Sequence, residues 1–269
     1  EGNITKAIKD ISFSVEAGEF LGIMGASGSG KTTLLNCIST IDTVSAGHIF
    51  LEGTDITEIN PKSLARFRRE NLGFVFQDFN LLDTLTISEN IALALAINKV
   101  PAGSVEPRML DIAGKLNISD ILNKYPYQVS GGQKQRVAVA GIIAMKPMCI
   151  VLDEPTAMLD PSGRKEVLST IKKLNKEDGI TIVLITHYME EVIDADRVFV
   201  MDAGKIMMEG TPRQIFSNVE HLKELRLDVP QVTELAYELK KAGVPLPDGI
   251  LTKEEFTLAL KRLVMQNGD

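Results

Sequence analysis

The sequence predicts an α/β fold: a phosphate-binding loop on a mixed, mainly parallel sheet, with an inserted α-helical subdomain and a small C-terminal helical appendage. Three observations predict it. A glycine-rich loop follows an apolar strand at 20–24, continuous apolar runs at 149–153 and 180–185 are typical of buried parallel strands, and segments of helical periodicity lie between them. With 269 residues, 44% of them hydrophobic, the chain has room for a sizeable core.

Composition excludes several classes of protein. The chain carries 29 Lys and Arg against 36 Asp and Glu, a net charge of -7, which is the wrong sign for a protein that neutralises nucleic-acid phosphates. The apolar run 91–97 is far shorter than the ~20 residues that span a bilayer. Cys37 and Cys149 lie far apart, and no signal-peptide core opens the sequence. We therefore expect a reduced, cytoplasmic protein without a disulfide framework and without a nucleic-acid partner.

Residues 25–32 are the central motif. Their pattern, Gly-x-x-x-x-Gly-Lys-Thr after a predicted strand, is typical of a phosphate-binding loop. The glycines let consecutive N–H groups turn inward around a polyphosphate, Lys31 supplies charge for the β- and γ-phosphates, and Thr32 offers a hydroxyl to Mg²⁺. The helix that follows points its positive end at the same anion. The predicted nucleotide-binding residues here are Gly25, Ala26, Ser27, Gly28, Ser29, Gly30, Lys31, Thr32 and Thr33.

The segments around this loop alternate between strand and helix patterns. Residues 8–15 alternate loosely between apolar and polar side chains, and with the strand 20–24 they predict a hairpin that feeds the loop. The other elements predicted before residue 77 are the helices 32–39 and 61–69 and the strands 48–51 and 72–76.

From 78 to about 145 the pattern changes to helical periods, which predicts an inserted helical subdomain. We assign 1–216, including this insert, to the nucleotide-binding domain and 217–269 to the appendage. The amphipathic appendage is interpreted either as a dimer contact or as plain solvated helices. The elements predicted after the insert are the strands 149–153, 180–185, 197–201 and 205–208 and the helices 162–174, 189–195, 230–243 and 252–264.

Asp153 ends a buried strand and Glu154 follows it directly. This arrangement is typical of phosphate-loop ATPases, in which the first carboxylate holds Mg²⁺ through water and the second polarises the attacking water. Because water is a weak nucleophile, hydrolysis needs a base within hydrogen-bond reach. The alternative is an acidic turn that caps the strand, and the loop upstream favours the ATPase.

Further motifs occur in a fixed order, with Ser130-Gly-Gly-Gln133 before the Asp-Glu strand and His187 after another strand. In this order they resemble ATP-binding-cassette (ABC) ATPases, and the match covers nearly the whole chain. The family's Walker A, glutamine loop, signature, Walker B, D-loop and H-loop fall on 25–32, Gln77, 130–134, 149–154, 157–160 and 186–187.

The resemblance implies an ATP-hydrolysing subunit of a membrane transporter, with ATP and Mg²⁺ as cofactors. It implies that Glu154 is the catalytic base, that His187 and Gln77 act on the γ-phosphate and the attacking water, and that Thr32, Gln77 and Asp153 contact the metal. ATP would lie between the phosphate loop of one subunit and the signature of a second ABC subunit, identical or homologous. The residues implied there are Ser130, Gly131, Gly132, Gln133 and Asp160.

The resemblance also implies a transmembrane permease that docks near Gln77 and 78–128, at the cytoplasmic face of the membrane. Residues 3–128 resemble antimicrobial-peptide-export and lipoprotein-release ATPases, whereas 130–269 resemble the energy-coupling-factor importer ATPase. This leaves two origins open, a recombined or designed chain and a natural lineage. The family's adenine-stacking aromatic precedes the position of Ile8, and the first aromatic here is Phe13. We therefore expect nucleotide binding to be weaker by about 1–3 kcal/mol.

Two other functions are weighed against the transport motor. In the first, the chain is a switch that dimerises with ATP and turns over slowly, or only with a partner. Turnover that rises strongly with a membrane partner separates the motor from this switch. A DNA-repair or translation ABC protein would need a long coiled coil or a second cassette, and the sequence has neither.

Overall fold

The computed structural model describes residues 6–76 and 79–266, without the side chain of Gln266. The chain consists of two compact units. Unit 1 contains Glu1–Phe13, Leu21–Lys31 and Thr186–Asp269, and unit 2 contains Ser14–Phe20 and Thr32–Ile185. The assignment of 217–269 to a separate appendage stays a prediction.

Three parallel strands form the sheet of unit 2. β5 (Cys149–Asp153) lies between β4 (Leu72–Val75) and β6 (Thr181–Ile185). Residues 150–152 are at most 1% exposed, which explains the continuous apolar sequence of a strand covered on both faces. Burial raises the pKa of the Cys149 thiol to about 12, so this group stays protonated at neutral pH and serves as a small core side chain.

Among the described residues, six α-helices and a small antiparallel hairpin accompany this sheet: α1 (Lys31–Ile38), β2 (Phe50–Leu51), β3 (Thr54–Asp55), α2 (Pro61–Asn71), α3 (Ile87–Ile97), α4 (Ala102–Lys115), α5 (Gly131–Ala144) and α6 (Pro161–Asp178). α3 starts at a capping box between Thr86 and Glu89. α6 stops at Gly179, whose φ of +66° is the left-handed conformation common at helix ends. The helices α3, α4 and α5 lie within 78–145, and that they form an inserted subdomain stays a prediction.

The sheet of unit 1 joins a parallel and an antiparallel pair. β1 (Phe20–Gly25) pairs in parallel with β7 (Arg197–Asp202), which pairs antiparallel with β8 (Lys205–Gly210). With the parallel pairs of unit 2, these pairings confirm an α/β fold with a mixed, mainly parallel sheet. The α-helices that follow β8 in unit 1 are α7 (Pro212–Phe216), α8 (Val219–Glu224), α9 (Gln231–Lys241) and α10 (Lys253–Gln266).

Two predicted elements of unit 1 were wrong. Residues 8–15 do not form a strand. Instead, the N–H of Lys9 donates to the carbonyl of Gly204 over 2.8 Å, and the Phe13 ring packs edge-on against Phe199 with centroids 5.1 Å apart. Side-chain packing therefore replaces the strand pairing that the loose alternation predicted. The helix predicted at 189–195 is one short 3-10 turn, Met189–Glu191.

Ion pairs connect the C-terminal helices. Arg213 of α7 donates from Nη2 to Oε1 of Glu255 in α10 over 2.6 Å, and the Leu251 N–H donates to the same carboxylate over 2.8 Å. These hydrogen bonds, of which the one from Arg213 has the larger effect, hold the pKa of Glu255 below its usual value. The folded state therefore favours the ionised carboxylate, and its contribution to stability is lost as the pH falls through the lowered pKa.

We expect Glu255→Gln to lower the free energy of unfolding at pH 7 by at most ~1 kcal/mol, since the paired side chains are 53% and 37% exposed and the pair is screened by solvent. The loss should shrink as the pH falls from 7 to 4. Thermal unfolding at both pH values checks this, with Glu254→Gln of the same helix turn as the control. An equal loss at both pH values would contradict the assignment.

Among the described residues, every helix is too short or too polar to cross a bilayer.

Candidate nucleotide-binding site

The phosphate loop in unit 1 follows β1 and closes tightly on itself. A Cβ added at Gly25 would lie 2.4 Å from the carbonyl oxygen of Met201 and 2.5 Å from Oγ of Ser29, so a larger residue does not fit. Gly28 and Gly30 have φ values of +79° and +104°, which L side chains rarely adopt. The loop thus requires glycine at the three positions of the sequence motif.

Lys31 is held inside this loop and is 8% exposed. Its Nζ donates to the carbonyl oxygens of Gly25 over 2.7 Å and Ala26 over 3.1 Å. Within the same loop, Ser27 is exposed and a Cβ on Gly28 would meet nothing within 4 Å. A positive charge at the centre and open space beside the backbone fit a phosphate group. Thr32 is exposed and Thr33 half-buried in the first turn of α1.

His187 lies in unit 1 beside the strand that leads into this loop. The N–H of Thr186 donates to the carbonyl of Ile23 over 3.1 Å, and Oγ1 of Thr186 accepts from the N–H of Tyr188 over 3.0 Å. Thr186 is fully buried, whereas His187 is exposed. Thr186 therefore anchors this segment to Ile23 of β1, two residues before Gly25, where the phosphate loop starts. The imidazole of His187 is left accessible to solvent.

Asp153 ends β5 in unit 2 and Glu154 follows it directly, and both are half-buried. Glu154 has a φ of +47°, a left-handed conformation that costs a non-glycine residue roughly 1–2 kcal/mol. Two backbone hydrogen bonds hold it there: its N–H donates to Ile185 O over 2.9 Å, and its carbonyl accepts from Ala157 N–H over 3.1 Å. These two hydrogen bonds fix the backbone of the carboxylate residue that directly follows β5.

The signature motif starts α5 in unit 2. Ser130 is exposed and caps the helix, its Oγ accepting from the N–H of Gln133 over 3.2 Å, while its own N–H donates to the Gln133 side chain over 2.9 Å. Used as an acceptor, the Ser130 hydroxyl keeps its hydrogen for another group. The exposed start of a 14-residue helix is also a favourable place for an anion.

Asp160 caps the neighbouring helix α6, accepting from the N–H of Gly163 over 3.3 Å. A Cβ added at Gly132 would lie 2.9 Å from Cα of Gly163, and Gly131 is similarly close to the side chain of Leu159. The signature is therefore packed backbone to backbone against the first turn of α6, and it contacts the D-loop through the side chain of Leu159. The sequence motifs do not include Gly163, and they include Thr186 only as part of the H-loop, without its anchoring role. A glycine in the first turn of a helix is the signal that could have indicated the close approach at Gly163.

The predicted site residues are divided between the two compact units. The loop and His187 belong to unit 1, while Thr32, Thr33, Asp153, Glu154, Asp160 and the signature belong to unit 2. Gln77 lies outside the described residues. That the loop binds one ATP and the signature completes the ATP site of a second subunit stays a prediction.

Comparisons with known proteins identify close relatives. Residues 8–157, more than half of the chain, match the model of the ABC transporter family. The energy-coupling factor transporter ATP-binding protein EcfA1 of Caldanaerobacter subterraneus subsp. tengcongensis is 48% identical over 256 residues, which cover 95% of this chain and 91% of that protein. Since this similarity extends through both 3–128 and 130–269, it is not limited to the second part. The recombined origin stays a hypothesis.

Two solved structures share the fold. The structure of cbiO1 from Clostridium perfringens, part of the ABC transporter complex cbiONQ, gives a TM-score of 0.75 at 30% identity and covers 87% of this chain and 92% of that chain. A dimeric ATP-binding cassette, MJ0796, in a post-hydrolysis state bound to ADP and Pi, gives a TM-score of 0.69 at 34% identity and covers 77% of this chain and 90% of that chain.

Proposed function

Because this chain belongs to the ABC transporter family, it is an ATP-hydrolysing subunit that powers a membrane transporter, and we propose which of its residues perform the chemistry. The observation that carries the proposal is the phosphate loop, closed around the ammonium of Lys31 and open beside Ser27 and Gly28. The N–H groups of this loop and Lys31 bind the β- and γ-phosphates of ATP, and Thr32 and Thr33 flank them.

Mg²⁺ is the metal that these residues suit, since a hydroxyl and carboxylate oxygens are the ligands it prefers. Thr32, Asp153 and Gln77 would hold it. When bound, the ion neutralises negative charge on the β- and γ-phosphates. Lys31 exchanges its contacts with the carbonyls of Gly25 and Ala26 for phosphate oxygens, which conserves the number of its hydrogen bonds.

Glu154 is the general base. It takes a proton from the water that attacks the γ-phosphorus, while the bond to the β–γ bridging oxygen breaks and ADP and inorganic phosphate form. The backbone turn at Glu154 supports this role, because two hydrogen bonds hold the residue in a defined position directly after β5. His187 and Gln77 orient the water and the γ-phosphate. The imidazole of His187 is exposed, while the neighbouring Thr186 is buried and anchors the segment.

A second ABC subunit completes the site. Ser130, Gly131, Gly132, Gln133 and Asp160 approach the γ-phosphate of ATP held by that subunit. The exposed Ser130 hydroxyl has a hydrogen left to donate, and the start of α5 favours an anion. The similarity to a dimeric cassette supports this arrangement.

The membrane partner is a transmembrane permease that docks near Gln77 and 78–128, and the subunit works at the cytoplasmic face of the membrane. Exposed apolar side chains in this region support the docking: Leu93 is 38% exposed, Ile97 56% and Leu110 50%. Apolar side chains that a single chain leaves in water are available to a partner. The name of the relative EcfA1 assigns it to an energy-coupling factor transporter.

Substitutions at Ser130 can separate the two roles of the site. Asp and Asn both cap helices well, but only Asp adds a negative charge. We expect Ser130→Asp to bind a non-hydrolysable ATP analogue and remain monomeric, because its carboxylate repels the γ-phosphate held by the partner. Ser130→Asn should still dimerise with the analogue. Sedimentation and analogue binding measure both properties.

Two outcomes would contradict the proposal. If Ser130→Asp loses analogue binding as a monomer, Ser130 acts within its own subunit. If the unsubstituted chain dimerises with ATP but its turnover does not increase with the membrane partner, the dimerisation switch is the better assignment.

A further inference from the structure

A cluster of one imidazole and two carboxylates lies outside every nucleotide motif. His48, Asp55 and Glu58 each offer one ligand atom, and these atoms all lie within 4.8 Å of one another. Nδ1 of His48 is 2.6 Å from Oδ2 of Asp55. His48 is 57% exposed and Asp55 17%, so the cluster is open to solvent.

The β2–β3 hairpin builds this cluster. Phe50 pairs with Asp55, and the two-residue turn at 52–53 has positive φ at both positions, which matches the right-handed twist of a hairpin. Because residues two apart share one face of a strand, His48 and Phe50 lie on the same face as Asp55 and Thr57. The register alone therefore brings the imidazole beside the carboxylate.

Local hydrogen bonds fix the Asp55 carboxylate before any ion is present. Its Oδ1 accepts from the N–H of Thr57 over 2.9 Å and from the Thr57 hydroxyl over 2.6 Å. Oδ2 is thereby turned toward His48, and Glu58 follows directly after the turn at Thr57. One of the three ligands is thus already oriented, which lowers the entropy lost on binding.

We propose that His48, Asp55 and Glu58 bind a divalent transition-metal ion of the zinc class, with water completing the coordination. Imidazole nitrogen and carboxylate oxygen are both zinc ligands, and two carboxylates with a neutral imidazole balance a 2+ charge. Mg²⁺ and Ca²⁺ prefer all-oxygen sites, so the imidazole favours zinc over them.

The distance between the His48 and Asp55 ligand atoms shows how far they must move to bind zinc. Two ligands of a tetrahedral zinc ion with bonds of ~2.0–2.1 Å are about 3.3 Å apart. Nδ1 of His48 and Oδ2 of Asp55 must therefore separate by less than about 1 Å from their present 2.6 Å. The exposed imidazole can make this adjustment by a small rotation. The bound ion would then connect the hairpin to the segment that leads into α2.

Calorimetric titration of the full chain with ZnCl₂, without nucleotide and with excess Mg²⁺, tests the proposal. We expect His48→Asn and Glu58→Gln each to weaken Zn²⁺ binding by at least about tenfold. Both side chains are exposed, so both variants should unfold at the temperature of the unsubstituted chain. Titration with Co²⁺ adds a visible absorption spectrum that reports the number of ligands.

The matched control is His221→Asn. Nδ1 of His221 lies 3.1 Å from one carboxylate, Glu224, and the pair is exposed as well. This variant should bind Zn²⁺ with the same affinity as the unsubstituted chain. The proposal is overturned if His48→Asn and Glu58→Gln bind Zn²⁺ as tightly as the unsubstituted chain, or if His221→Asn loses as much affinity as they do.

Discussion

Replacing Glu154 with Gln should lower ATP turnover by roughly 10²–10⁴-fold, the usual contribution of a general base, while ATP binding is retained. The amide cannot take the proton from water, but it has almost the same size and shape as the carboxylate. It should therefore keep the backbone conformation with φ of +47° and the hydrogen bonds to Ile185 and Ala157. Phosphate release and binding of labelled ATP measure the two properties.

Since this variant binds ATP without consuming it, it should also accumulate as an ATP-bound dimer. Glu177→Gln is the matched control, because it removes one exposed carboxylate from α6 and should leave turnover unchanged. Lys31→Ala is the opposite case and should lose both binding and turnover. Undiminished phosphate release by Glu154→Gln would exclude this residue as the base.

Adding one methyl group at Gly132 should destabilise the fold by about 1–3 kcal/mol. The new Cβ would lie 2.9 Å from Cα of Gly163, and backbone on both sides leaves no flexible side chain to move away. Either the two helices separate or the start of α5 shifts, and both displace the signature. Thermal unfolding of Gly132→Ala without nucleotide measures the loss, and sedimentation with ATP measures dimer formation.

Gly141→Ala in the same helix is the matched control. Its Cβ would lie 3.5 Å from that of Ala94, which is an ordinary contact. Because alanine favours a helix over glycine by up to ~1 kcal/mol, this variant should be as stable as the unsubstituted chain or more so. The same loss of stability in both variants would mean that the contact with Gly163 has no special effect.

Elements with strong local patterns could be predicted from the sequence. β5 is a continuous apolar run, and its observed bounds, Cys149–Asp153, are those expected. The capping box at Ser130 is equally local, and it explains why α5 begins at Gly131. In both places the residues that decide the structure are neighbours in the sequence.

Features that depend on distant contacts could not be predicted. Residues 8–15 are held by Gly204 and Phe199, almost two hundred residues away, so their own alternation does not determine their structure. The conformation of Glu154 depends on Ile185, which follows in another strand. The sequence therefore predicts the candidate site residues by type and order, while the positions of their backbones needed the fold.

The contact between Gly132 and Gly163 determines how the starts of α5 and α6 can move. Ser130 caps one helix and Asp160 the other, and between them lies backbone with no side chain to deform. Contacts of this kind shift between discrete arrangements and do not bend gradually. A displacement of Ser130 caused by a bound nucleotide would therefore also displace Asp160, so the two capping residues would move together when ATP binds.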